Sequence, residues 1–250
     1  MEPLIAKFFL AFSHETIILP LIILGYIWGS RDVFYHAICL MLTSMILNFA
    51  LKITFKIPLH PSLSIPGFAF PSGHMQSPTV LYSWIAFRIR NLFVRIFISL
   101  LLLSIGISLV YSGYHNYYDI FGAVFFAAIL LLIYSFLFRN KPHILHYFLI
   151  IFSTILMIYI GAKNGLTPHM FLSYYALLAF IITDRVCAKS ITQNFTHKLF
   201  STILCFATIF IIKYIFSSKF FAEFPYYLTE LQWAAIGFTI PWSKYVKFKP

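Results

Sequence analysis

In SLVYSGYHNYYDIFGAV, residues 108–124, His115 and Asp119 stand four positions apart. On a helix opening near Tyr117, that spacing lets the carboxylate reach back to one ring N–H and leave the other imidazole nitrogen free to attack. Asp119 is one of only three Asp in the chain, with Asp32 and Asp184. It opens a hydrophobic run, where an unpaired carboxylate is costly. A plain interfacial His–Asp pair, or an Asp favouring a helix N-terminus, would satisfy the same spacing. A second stretch, GFAFPSGHMQ at residues 67–76, is punctuated by Pro66, Gly67, Pro71 and Gly73. It puts Ser72 where it can cap a helix opening at about His74. The backbone N–H groups of such a start form a cradle for an anion, although an ordinary capped turn has the same signature.

The elements that must position these groups are hydrophobic runs at roughly 16–29, 33–51, 75–92, 95–113, 119–138, 144–162, 169–186, 199–216 and 228–241. They lack the alternation of barrel strands, and backbone inside lipid must satisfy its own hydrogen bonds, so they read as helices of an all-α, polytopic transmembrane bundle. Residues 3–12 are too brief to cross and are interrupted by Lys7, which reads as a short interfacial helix. Runs 75–92 and 95–113 form a hairpin through the basic turn from Arg88 to Arg95. His74 therefore enters the membrane where His115 leaves it. Two imidazoles and a carboxylate then converge on a helix start: a nucleophile, an acid and an anion cradle.

Composition sets the frame. Of 250 residues, 61% are apolar and 10% charged, more apolar surface than one soluble core could hide. The formal charge of +11 sits at the ends of the hydrophobic runs, which reads as membrane topology instead of a nucleic-acid surface. Cys39, Cys187 and Cys205 read as packing residues, with neither disulfide nor zinc spacing. The N-terminal stretch lacks a small-residue cleavage site and does not read as a signal peptide. If 16–29 runs inward and every later run crosses, twelve of the 18 Lys and Arg fall on one side. The positive-inside rule makes that side cytoplasmic and turns the loop 52–74 outward.

These motifs resemble the type 2 phosphatidic acid phosphatase superfamily, which includes lipid phosphate phosphatases, isoprenyl diphosphate phosphatases and vanadium haloperoxidases. Its central signature, Pro-Ser-Gly-His, is complete at Pro71, Ser72, Gly73 and His74. Its last signature is matched by Ser108, His115 and Asp119, with Leu109 where Arg is expected. Its first begins at Lys52, with Leu59 and His60 at the Arg-Pro positions. The resemblance covers roughly residues 16–138. It implies a phosphatase-like catalytic membrane domain over residues 1–140, followed by additional membrane helices of unknown role over 141–250.

By that resemblance His115 attacks phosphorus and forms a phosphohistidine, Asp119 orients it, and His74 protonates the leaving oxygen. Lys52, Ser72 and the N–H of Gly73 hold the phosphoryl oxygens. Neither metal nor cofactor is implied, and the partner is a membrane lipid substrate. A compact chain with short loops fits a bacterial inner membrane with the site on its outer side.

The paired loss of arginine removes a bidentate, permanently charged clamp, for which Lys56 and His60 are the nearby substitutes. Three functions fit: a lipid phosphatase acting on a phosphate monoester or diphosphate, a phosphodiester headgroup transferase of the sphingomyelin-synthase-like type, and a non-catalytic lipid-binding or interaction member. Tyr111, Tyr114, Tyr117 and Tyr118 read as an aromatic belt. His14, His36, His143, His146, His169 and His197 are assigned no role, and Asp184 with Arg185 reads as a paired helix boundary.

Overall fold

The computed structural model describes residues 4–59, 67–89, 91–163, 165–187 and 194–246. Within these residues twelve α-helices follow one another: α1 (Leu4–Ala11), α2 (Glu15–Trp28), α3 (Arg31–Phe55), α4 (Gly73–Arg88), α5 (Leu92–Tyr111), α6 (Tyr117–Asn140), α7 (Leu145–Ala162), α8 (Pro168–Cys187), α9 (Phe195–Phe216), α10 (Lys219–Ala222), α11 (Tyr226–Thr229) and α12 (Gln232–Tyr245). Among the described residues extended pairing is limited to an antiparallel bridge between Pro58 and Phe68. Seven stretches of the described residues are long and apolar enough to cross a membrane: Leu4–Trp28, α3, α5, α6, Pro142–Ala162, α8 and α9. The protein is an all-α, integral membrane protein.

Two expectations change. The runs at 75–92 and 228–241 are not among those seven. Helix α4 has 16 residues and α12 has 14, about 24 and 21 Å at 1.5 Å per residue, against a hydrocarbon core of about 30 Å. The run at residues 3–12 forms a short helix of its own, α1, with Leu4, Ile5 and Phe8 exposed. Ala6 and Leu10 of α1 are buried, α1 packs on α5, and with α2 it makes one apolar stretch.

The chain forms two compact units, Met1–Pro20 with His36–Gly165, and Leu21–Tyr35 with Leu166–Pro250. In the first unit, α4 and α6 run side by side in the same direction. The Ser72 amide bonds the Asp119 carbonyl at their starts, Trp84 stacks edge-on with Tyr134 further along, and the Arg88 guanidinium covers the Phe138 ring at their ends. Helix α5 returns alongside α4, and Gly106 marks a close approach. A Cβ there would sit 3.3 Å from the Ile120 side chain and 3.7 Å from that of Met75, so the missing side chain leaves room for those of α6 and α4. Helix α3 runs opposite to α4: His36 bonds Tyr134 at one end, and Asn48 bonds the Pro71 carbonyl at the other.

Local sequence sets the helix ends at the hairpins. The Asn91 side chain accepts from the Phe93 and Val94 amides and starts α5. Helix α5 stops at Gly113, whose φ of +72° is the left-handed conformation that favours glycine after a helix. Asn116 starts α6 through a capping box with Asp119.

In the second unit α12 lies on α8. A Cβ at Gly237 would come within 2.5 Å of the Ala176 carbonyl oxygen, a crossing only glycine permits. Asp184 is not paired with its neighbour Arg185 as a local boundary. Its two oxygens take Nε and Nη2 of Arg31, and the Tyr26 hydroxyl donates to it as well. A buried carboxylate needs such a set of donors. Cys39 and Cys205 are buried and unbridged.

Candidate active site

All the site segments lie at one end of the first unit, where α3 finishes, α4 begins, α5 finishes and α6 begins. The capping box does two jobs with one oxygen. Asp119 Oδ2 accepts from the Asn116 amide at 3.0 Å and stands 3.3 Å from His115 Nδ1, while the Asp119 amide donates to Asn116 Oδ1 at 2.9 Å. The carboxylate rotamer is thus fixed by helix capping, and the imidazole is aimed by that rotamer. Both side chains are buried, 6% exposed for His115 and 3% for Asp119. Burial lowers the His115 pKa from its ordinary value; the Asp119 charge pushes it up and the Lys52 charge pushes it down. The ring is therefore the neutral base near pH 7.

The start of α4 is joined to this pair by the Ser72 amide, which donates to the Asp119 carbonyl at 3.1 Å. Ser72 occupies the N-cap position, but its side chain makes no cap bond, contrary to the expected side-chain cap. Its φ of −64° and ψ of 119° give the backbone geometry of a cap. The hydroxyl itself is fully buried and has no hydrogen-bond partner. A buried hydroxyl without a partner is costly, and here it stands beside first-turn amides that an anion would fill.

Lys52, four residues along α3 from Asn48, donates to the Phe68 carbonyl at 2.8 Å and so holds the loop that leads into Pro71. Lys56 is exposed, just past α3, at φ +52°. His60 lies outside the described residues. Leu109, at the position where the resemblance expects Arg, is 2% exposed and packs in the core. Its carbonyl accepts from the Tyr114 and His115 amides, so its fixed contribution to the site is a backbone one. Leu59 bonds the Gly67 carbonyl through its amide at 3.1 Å, closing the loop.

Two residues missed by the sequence reading belong to this region. Asn48 Nδ2 donates to the Pro71 carbonyl at 3.1 Å and to Gln76 Oε1 at 2.8 Å. Its Oδ1 lies 3.0 Å from where a Cβ of residue 73 would be, so Gly73 is the residue that lets α4 begin against Asn48. The spacing of Asn48 to Lys52 was the available signal, since it puts both on one face of α3. The other is His14. Its ring centroid lies 5.1 Å from that of His74, and both residues are exposed. The turn carrying His14 is tied to α4 by the Tyr82 hydroxyl, which donates to the Phe12 carbonyl at 2.8 Å. Nothing in the sequence links residues 14 and 74. Tyr111, Tyr114, Tyr117 and Tyr118 are exposed around this end.

Compared with models of known protein families, with curated proteins and with solved structures, the chain matches none.

Proposed function

We propose that this membrane protein is a phosphoryl-transfer enzyme of the type 2 phosphatidic acid phosphatase kind, hydrolysing a phosphate monoester or diphosphate of a phospholipid or isoprenoid. The observation that carries this is the meeting of three parts at one end of the first unit. They are a neutral, carboxylate-oriented imidazole at His115, a helix start with an unpartnered buried Ser72 hydroxyl, and the Lys52 ammonium.

Each part has a chemical task. Asp119 on Nδ1 leaves Nε2 of His115 to attack phosphorus, forming a P–N bond as the P–O bond to the lipid breaks. His74 gives a proton to the departing oxygen, then takes one from the water that cleaves the P–N bond and frees phosphate. The first-turn amides of α4, the Ser72 hydroxyl and Lys52 bear on the non-bridging oxygens, whose charge grows in the transition state. The end of this unit opposite the site carries Arg88, Arg95, Arg139 and Lys141. By the positive-inside rule the site faces outward, and we place the protein in a bacterial inner membrane.

One observation favours a second function. Lys52 is the cation whose charge bears on His115, while Leu109 is buried and Lys56 exposed. A phosphodiester carries one negative charge and needs fewer cations than a dianionic monoester, which fits a headgroup transferase. The experiment is release of inorganic phosphate from phosphatidic acid and from isoprenyl diphosphate by purified protein in detergent, beside headgroup exchange on a phosphodiester lipid. Phosphate release abolished by His115→Ala, with an acid-labile phosphoenzyme, supports the hydrolase. Exchange without phosphate release supports the transferase, and neither activity refutes both.

A further inference from the structure

Far from His115 in sequence, the second unit gathers charge at the C-terminal end of α2. The last carbonyls of a helix carry partial negative charge and attract cations. Lys244 Nζ donates to the Tyr26 carbonyl at 2.7 Å, and Lys198 Nζ reaches the Trp28 carbonyl at 3.5 Å. Three residues beyond Trp28, Arg31 grips Asp184 with two of its nitrogens while its side chain stays 37% exposed. Around this helix end three cations thus face one buried carboxylate. The sequence neighbours Asp32 and Arg185 add one charge of each sign, which leaves the excess positive. The crowding is felt by Lys244: burial, then the Arg31 and Lys198 charges, bring its pKa down to about 8.

Capping of α2 accounts for the lysine bonds but not for the excess charge, nor for what lies beside it. Helix α9 starts at this same end and is long and apolar enough to cross a membrane. Phe195 stacks edge-on with Trp28 at 5.3 Å between centroids. Phe195, Leu199 and Ile203 follow at four-residue intervals along one exposed face of α9, at 71, 45 and 60% exposure. This is the least buried of the seven apolar helices. Lys198 stands at the top of that face, with its ammonium turned to the helix end.

We propose that this corner is a binding site for an anionic phospholipid, its phosphate held by Lys198, Lys244 and Arg31 and its acyl chain lying along Phe195, Leu199 and Ile203. The placement fits the ligand. The cations sit where α2 and α12 end and α9 begins, and the apolar stripe runs from them along a helix long and apolar enough to cross a membrane. A zwitterionic lipid offers the same phosphate but brings its own cation, so it gains less from an excess of positive charge. A free phosphate gains nothing from α9. Basic clusters at the ends of membrane helices attract anionic headgroups at about 1 kcal/mol per Lys or Arg.

The test uses the full chain in detergent, titrated with phosphatidylglycerol, phosphatidylcholine and inorganic phosphate, and read by native mass spectrometry and thermal unfolding. Phosphatidylglycerol should be retained and should raise the unfolding temperature more than phosphatidylcholine, with inorganic phosphate inert. Lys198→Gln should weaken phosphatidylglycerol about fivefold, and Lys198→Gln with Lys244→Gln roughly thirtyfold. Lys52→Met should leave it unchanged, which separates this corner from the His115 site. Should the double variant fail to fold, Lys198→Gln alone carries the test. Equal retention of both lipids, unchanged binding by Lys198→Gln, or protection by inorganic phosphate alone would overturn the proposal.

Discussion

The amide of Ser72 donates to the carbonyl of Asp119 at 3.1 Å, so the two histidine-bearing segments are joined backbone to backbone. Substitution at Asp119 can therefore change chemistry without parting the helices. Asp119→Asn keeps an oxygen to accept from the Asn116 amide and loses only the charge that orients His115. Phosphate release should fall about 10²-fold or more, with little change in unfolding temperature. Asp119→Ala removes the cap too and should cost a further ~1 kcal/mol of stability. Turnover and thermal unfolding of the two variants, measured side by side, check this. Equal destabilisation by both would mean that the charge and not the cap holds α6.

The lowered His115 pKa fixes the direction of the acid limb. The neutral imidazole is the nucleophile, so kcat/KM should hold as pH drops past the ordinary histidine value of about 6.5 and fail only below it. The two charged neighbours act with opposite sign. Lys52→Met removes a charge that depresses the pKa and should move the limb to higher pH; Asp119→Asn should move it lower. The same shift enters stability. A ring that binds its proton less readily in the folded chain stabilises fully above about pH 6.5 and loses that contribution as pH falls through the folded pKa. A pH–rate profile of the three proteins decides the matter, and limbs moving the same way in both variants would contradict the assignment.

Asn48 is argued to hold the loop and not to touch phosphorus. Asn48→Ala leaves Gln76 Oε1 and the Pro71 carbonyl without a buried donor, a loss of about 1–3 kcal/mol. Activity should fall with it, because Ser72 and Gly73 follow directly on Pro71. Gly73→Ala attacks the same contact from the other side, since its Cβ would meet Asn48 Oδ1 at 3.0 Å. The pair Asn48→Ala with Gly73→Ala should be less damaging than the sum of the two. Unfolding temperatures of the single and double variants test that coupling.

Much of this end of the molecule is legible in the sequence, for a physical reason. Apolar runs long enough to cross announce themselves, and the four-residue step from His115 to Asp119 is read directly once a helix opens at Tyr117. What a one-dimensional reading misses is set by neighbours. Ser72 has the type and place of a side-chain cap, yet its hydroxyl makes no cap bond. Helix α4 reads as one more apolar run, but its ten buried residues are shielded by protein. Asp184 looks like the partner of Arg185 because they adjoin, whereas the helical step points them apart and Arg31, 153 positions away, reaches it instead.

His14 is the clearest case of a residue that only the fold reveals, and its role can be measured. Tyr82 lies two turns along α4 from His74, on the same face, and its hydroxyl pins the turn that carries His14. If His14 serves His74 by passing protons between that imidazole and water, His14→Phe should keep the ring packing and slow turnover, with KM little changed. Tyr82→Phe removes the anchor at a cost of about 1 kcal/mol and lets the turn drift. It should slow turnover by the same route. The two substitutions then remove one function in two ways, and kcat of the double variant should be close to that of His14→Phe alone instead of showing the product of both losses. Added imidazole in the medium should restore part of the turnover lost in His14→Phe. Full additivity in the cycle, or no response to imidazole, would reduce the ring contact at 5.1 Å to packing.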